Sequence, residues 1–270
     1  MYFISSIIKF LYADGYFSAF ILAGLIVGFF LSLTGSGGSI LSIPLIMYFT
    51  SISDMHLIVG ITALSVALNA ILNVIPHAKN GNVVWRSGVK IGMVGAVGAF
   101  FGTMLGKIIN ANCLMGVFTI VMMFVSLKIF TKQTDANGWI TENCTHSSTI
   151  RSWLLTLLTG GLSGLLGIGG GFLVVPLLVY EFHFSMVKAI ATSLLIISFM
   201  GSITALSYSF SHPIDINYVM WLIIGGAIGG WSGASVVNRL KKRQRLLNII
   251  FASMLLSASI YFLLRVIHVI

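Results

Sequence analysis

"GIGGGFLVVPLL", residues 167–178, decides how this chain is read. Gly169, Gly170 and Gly171 weaken a helix and admit positive φ. Pro176 removes a donor and crowds the carbonyl of Phe172, four residues back. Every neighbour, however, argues for a buried apolar helix. Backbone polar groups cannot go unpaired in hydrocarbon, so irregular backbone at depth is tolerated only inside protein or against a watery cavity. The stretch therefore predicts a helix, a glycine break and a short second helix. The second helix would turn its positive dipole end, with amides lacking intrahelical partners, toward the break. Such an end suits an anion.

The rest of the chain supplies the hydrocarbon. It is 57% hydrophobic and 8% charged, where a water-soluble domain carries about 25% charged residues. Its solvent is lipid. The net charge of +9 comes from 15 Lys and Arg that lie almost wholly in short gaps between apolar runs. That is the orientation signal of a multi-pass inner-membrane protein, and it excludes a basic nucleic-acid stripe. Cys113 and Cys144 are expected to pack. His56, His77, His146, His183, His212 and His268 fall in gaps or near run ends without metal spacing and are read as interfacial residues. No cofactor or metal is expected. The opening "MYFISSIIKFLYADGYF" lacks a cleavage pattern and reads as a retained segment.

On the ruler of about 20 apolar residues per crossing, runs lie near 16–34, 38–52, 57–76, 83–106 and 113–130, then near 152–167, 170–182, 187–210, 217–238 and 246–267. Between them stands one long polar stretch, 132–151. The two sides are copies. "GSGGSILSIPLIMY" (35–48) aligns without a gap to "GIGGGFLVVPLLVY" (167–180), "ITALS" (61–65) to "ATSLL" (191–195), and "GAVGAFFG" (95–102) to "GAIGGWSG" (226–233). The last pair reads as glycines for close helix packing. The fold expected is an all-α polytopic membrane protein with a first repeat at 1–131, a cytoplasmic linker at 132–151 and a second repeat at 152–270. Lys79, Arg86 and Lys90 fill one gap of the first copy, whereas "RLKKRQR" (239–245) fills the following gap of the second. Positive charge marks the cytoplasm, so the repeats are expected to be inverted, each opening on a glycine-broken or re-entrant helix pair.

No acid or base sits deep in a run, so a bound anion would be held by amides and hydroxyls. The expected contacts are Gly35, Ser36, Gly37, Gly38 and Ser39 at one break and Gly167, Gly169, Gly170 and Gly171 at the other. Pro44 and Pro176 act as helix breakers, and Thr62, Asn69, Thr192 and Ser193 stand on the run after each break. Thr62, Asn69 and Asn73 share a helix face. The two asparagines either bind or glue helices together. Ser36 either donates to the anion or caps its half-helix.

Gly167, Gly169, Gly170, Gly171, Val175 and Pro176 form a GxGGGxxxVP segment that resembles the TauE/SafE family of sulfite exporter-like permeases. The first copy keeps Gly35, Gly37, Gly38 and Pro44 but departs at Ser39 and Ile43. "ATSL" (191–194) also resembles the family, while Ile61 and Ala63 depart from it. The resemblance implies a permease, not an enzyme, for a sulfur-containing oxyanion or organosulfonate. Its partners would be that small anion and the bilayer, with alternating access between two breaks near the midplane. An anion channel uses the same features. A rival from another class is an intramembrane serine protease, since "GLSG" (161–164) offers Ser163 with His212 as a base. His212, beside Pro213 in a short polar gap, is at the wrong depth for that dyad. An inert scaffold would gain nothing from two costly breaks.

Overall fold

The computed structural model describes residues 16–35, 37–49, 55–109, 150–166, 171–210 and 216–240, with scattered positions at 116–124 and 246–260. They form eight helices: α1 (Tyr16–Thr34), α2 (Gly37–Phe49), α3 (Met55–Lys79), α4 (Trp85–Gly106), α5 (Ile150–Leu166), α6 (Gly171–Tyr180), α7 (Met186–Ser209) and α8 (Ile216–Arg239). Most of the runs at 113–130 and 246–267, and nearly all of the linker, lie outside the described residues.

Length sorts the helices. α3, α4, α7 and α8 have 25, 22, 24 and 24 residues. At about 1.5 Å per residue they clear a hydrocarbon core of about 30 Å. Each is apolar enough to cross it. The chain is a multi-pass membrane protein. α2 has 13 residues and α6 has 10, so at about 20 and 15 Å neither can span.

Within the candidate spans, 72% of α3 and of α7 is buried against 44% of α4 and of α8. The first pair is the centre and the second its flanks. The exposed stripes Met93, Val97, Phe100 and Met104 on α4, and Met220, Ile224, Ile228 and Trp231 on α8, recur at helical spacing and face lipid.

Glycines set how closely the helices approach. A Cβ on Gly24 would come within 2.5 Å of the Leu222 carbonyl, and Gly28, Gly225, Gly229 and Gly233 likewise face backbone across the α1–α8 contact. Across α4–α5 the same holds for Gly98, Gly102 and Gly106 on one side and Gly160 and Gly164 on the other. The packing role expected of "GAVGAFFG" and "GAIGGWSG" is the one they fill.

These contacts also give direction. Gly24 meets Leu222 and Gly28 meets Gly226, so α1 and α8 run parallel. Gly98 meets Leu157 and Gly102 meets Gly161, so α4 and α5 run parallel. α3 follows α8 through Asn69 at Gly226 and Asn73 at Gly230, while α7 follows α4 through Thr192 at Gly88 and Met200 at Gly95. The central pair is antiparallel: Gly201 of α7 lies against Ala63 and Ala67 of α3, and Thr192 accepts a bond from Val84, beyond the far end of α3. Hence α1, α3 and α8 point one way, and α4, α5 and α7 the other. Because α1 and α3 agree in direction, α2 must fold back between them. Gly38 accordingly packs on Val27 and Leu31 of α1.

Charge follows direction. Lys79, Arg86, Lys90, Arg151, Lys188 and Arg239 all fall at the end where α3 and α8 finish and α4, α5 and α7 begin; Lys107 is at the other. The Arg151–Glu181 pair, at 3.1 Å, joins α5 to the turn after α6 on that basic end.

Candidate functional site

α1 stops at Thr34, and Gly35 takes φ +75, the left-handed region that glycine enters without penalty. α2 starts at Gly37. The break is buried: a Cβ on Gly35 would lie 2.8 Å from the Ile190 Cα of α7. Inside protein such irregular backbone is permitted at membrane depth.

Opening a helix end frees carbonyls as well as amides, and here several carbonyls around the break have partners. Phe30 O accepts from Thr34 Oγ1 at 2.7 Å and Leu31 O from the Gly35 amide at 2.8 Å. The His77 ring nitrogen Nε2 lies 3.1 Å from Ser32 O, and the Ser193 hydroxyl lies 2.8 Å from Gly35 O. Gly37 and Gly38, as the first residues of α2, have no acceptor for their amides within their own helix. Those first amides carry the positive end of the α2 dipole. No Lys, Arg, Asp or Glu among the described residues is buried, so no fixed charge competes with it.

Ser193 and Gly35 come together, with Thr192 one residue away on α7. Ser39 is buried in the first turn of α2, and its carbonyl accepts from the Ser42 hydroxyl at 2.7 Å. Thr62 does not join them. Its hydroxyl donates to Val59 O at 2.9 Å within α3, and the Gly201 register sets it about 15 Å from Ser193 along the bundle. The Gly35 break is level with the last turn of α3 and the first turns of α4 and α7, toward the basic end and away from the midplane expected of it. Gly171 begins α6, whereas Ser36, Gly167, Gly169 and Gly170 lie outside the described residues.

The prolines behave differently from expectation. Pro44 and Pro176 lie inside α2 and α6, and both helices continue past them. A proline removes a single donor, and in so short a helix neighbouring turns hold the path; the turn out of α1 is made at Gly35.

Sequence reasoning also misplaced His77. The apolar run was expected to end at Pro76, leaving the histidine at an interface. α3 instead runs through Pro76 to Lys79, and His77 is fully buried with Nε2 3.0 Å from the Ser32 hydroxyl. The legible signal was spacing, since Asn69, Asn73 and His77 recur every four residues. Asn69 Nδ2 donates to Leu222 O at 3.2 Å on α8. The rival dyad gains no support: Ser163 is buried within α5 with no hydrogen-bond partner for its hydroxyl, and His212 lies outside the described residues.

Four helices long and apolar enough to cross a membrane, packed through glycine contacts around a buried interruption at Gly35, define a multi-pass membrane protein. The family model described as "Sulfite exporter TauE/SafE" matches residues 20–262, and the chain belongs to that family. It is 36% identical over 248 residues to a "Probable membrane transporter protein" of Xylella fastidiosa strain Temecula1, covering 90% of this chain and 93% of the relative. It is 27% identical to the "Probable membrane transporter protein YunE" of Bacillus subtilis, over 84% of this chain and 90% of the relative. The "Sulfite exporter TauE/SafE family protein 3" of Arabidopsis thaliana is 25% identical over 66% of this chain and 40% of its own. No solved structure matches the chain.

Proposed function

We propose that the protein is an inner-membrane permease for a small anion, a sulfur-containing oxyanion or organosulfonate, bound at the glycine breaks and moved by alternating access. The observation that carries this reading is the division of labour at Gly35. Donors stand at the Leu31, Ser32 and Gly35 carbonyls, so the amide end of α2 would be open to an acceptor, and a sulfonate or sulfite presents acceptors only. The family's description and the names of the relatives agree with transport.

Helix direction supports an inverted repeat. α1, α3 and α4 run same, same, opposite; α5, α7 and α8 repeat that pattern reversed. α2 and α6, the short helices of each set, touch. On this reading residues 1–131 and 152–270 are the copies, 132–151 is a cytoplasmic linker beside the basic end, and Gly167–Gly171 forms a second break related to the first. Thr62 would serve that second break as Ser193 serves Gly35.

The test is an anion-dependent thermal shift of the purified protein in sulfite, methanesulfonate, sulfate and chloride. Sulfite or methanesulfonate is expected to raise the unfolding midpoint more than chloride does. Ser193→Ala, which leaves the helix path alone, should weaken that shift, and Gly38→Leu, which drives α2 off α1, should abolish it. Equal midpoints in all four salts would remove the anion site.

A further inference from the structure

Among the described residues, His77 is the buried side chain able to change its charge near neutral pH. Its Nε2 lies 3.1 Å from Ser32 O and 3.0 Å from the Ser32 hydroxyl. A carbonyl only accepts, so Nε2 carries the hydrogen of that bond and Nδ1 keeps a bare lone pair. Nδ1 is buried without a hydrogen-bond partner. Buried acceptors are rarely left so, and the smallest ligand an acceptor takes is a proton. Asn73 Oδ1, one turn back on the same face and likewise unpaired, is an acceptor for the hydrogen that Nδ1 would gain.

The surroundings decide what such a proton needs. Ser32 belongs to the last turn of α1, where the helix dipole presents its negative end and favours a cation. No carboxylate stands by to neutralise one. α1 and α2 carry no charged side chain, and the charges on the other helices at this end are Lys79 on α3 itself, Arg86 and Lys90 on α4, Lys188 on α7 and Arg239 on α8. Glu181, beyond α6, is paired with Arg151. An imidazolium at His77 would therefore be buried near cations with no acid as its partner, a costly arrangement. An anion at the first amides of α2 supplies the missing charge. The proton would sit at the negative end of one helix and the anion at the positive end of the next, with Gly35 between them.

The second copy has no equivalent group. The alignment of 61–65 with 191–195 carries His77 onto Ser207, whose carbonyl accepts from Lys107 Nζ at 2.7 Å. Apolar side chains fill the α7 face toward α4, with Leu195 at Gly88, Phe199 at Gly92 and Met200 at Gly95.

We propose that His77 is a proton-binding site, taking a proton at Nδ1 together with an anion at the Gly35 break, so that the two bind and cross as a pair. This rests on the reading of the protein as an anion permease and assigns that permease its coupling ion. For a monovalent sulfonate the pair adds no net charge to the buried break.

Methanesulfonate affinity of the purified full-length protein, measured by calorimetry from about pH 5 to about pH 7.5, tests this. The probe stays ionised throughout, so any proton taken up on binding goes to the protein. Binding that takes up a proton is tighter at low pH, and affinity is expected to fall by up to about ten-fold per pH unit, one proton per anion. His77→Gln keeps an N–H for Ser32 O but cannot take the proton, and its affinity is expected to be flat across the range. A flat wild-type profile, or the wild-type slope in His77→Gln, would overturn the proposal. Should His77→Gln fail to assemble, the combination of His56→Gln, His146→Gln, His183→Gln, His212→Gln and His268→Gln carries the test in reverse: the slope is expected to remain, and its loss would overturn the assignment. Flat affinity with binding intact removes the proton site alone; absence of methanesulfonate binding at every pH removes the anion site and the coupling with it.

Discussion

At the scale of single residues, two glycines are required for their backbone and can be told apart by their surroundings. Gly81 has φ +67 with open space around it, and it closes α3 by bonding its amide to Ala78 O at 2.9 Å while Asn82 bonds to His77 O. Gly81→Ala should cost about 1 kcal/mol, the left-handed penalty alone, and Gly81→Asn less, since asparagine enters that region more readily. Thermal unfolding of the two variants side by side checks this, and equal losses would contradict it. Gly35 carries the same φ constraint and a packed wall as well. Gly35→Ala must displace Ile190 or Ser193 and should lower the midpoint further than Gly81→Ala does. Ser193→Ala removes only the bond to Gly35 O, worth about 1 kcal/mol.

At the scale of elements, the molecule holds together by backbone approaching backbone, because lipid removes the hydrophobic drive between helices. Neighbouring glycines of α5 are therefore unequal. A Cβ on Gly161 meets nothing nearer than Gly98 O at 3.7 Å, an ordinary contact, whereas one on Gly164 presses into the backbone of Ala99. Gly161→Ala should be neutral. Gly164→Val should cost about 1–3 kcal/mol or more, since the obstacle is main chain and cannot rotate away. Thermal stability in detergent separates the two, and similar midpoints would show that α4 and α5 are not clamped at this contact. Nothing in the letters of "GGLSG" (160–164) sets Gly161 apart from Gly164.

At the scale of the whole molecule, charge and helix direction make a topology that can be measured. Gly81 lies at the tip of the α3–α4 turn on the basic end and Phe210 at the opposite end, both exposed. With Cys113 and Cys144 replaced, an impermeant maleimide added to intact cells should label Phe210→Cys and spare Gly81→Cys; disrupting the cells should expose both. Labelling of Gly81→Cys in intact cells would reverse the orientation. The same architecture separates the expected site residues. Gly35, Thr192 and Ser193 gather toward the basic end, Asn69 lies in the middle of α3, and Thr62 lies beyond it.

Several features were settled by sequence alone. Low charge fixes a lipid solvent and long apolar runs fix helices able to cross it, because both follow from local composition and the cost of unpaired backbone in hydrocarbon. Depth, partnership and asymmetry were decided only when the helices packed. That Ser193 covers the Gly35 carbonyl, that His77 turns inward past Pro76, and that one central seam is polar while its fellow is greasy all depend on which helix lies beside which. Those contacts join residues far apart in the chain, and no local pattern records them.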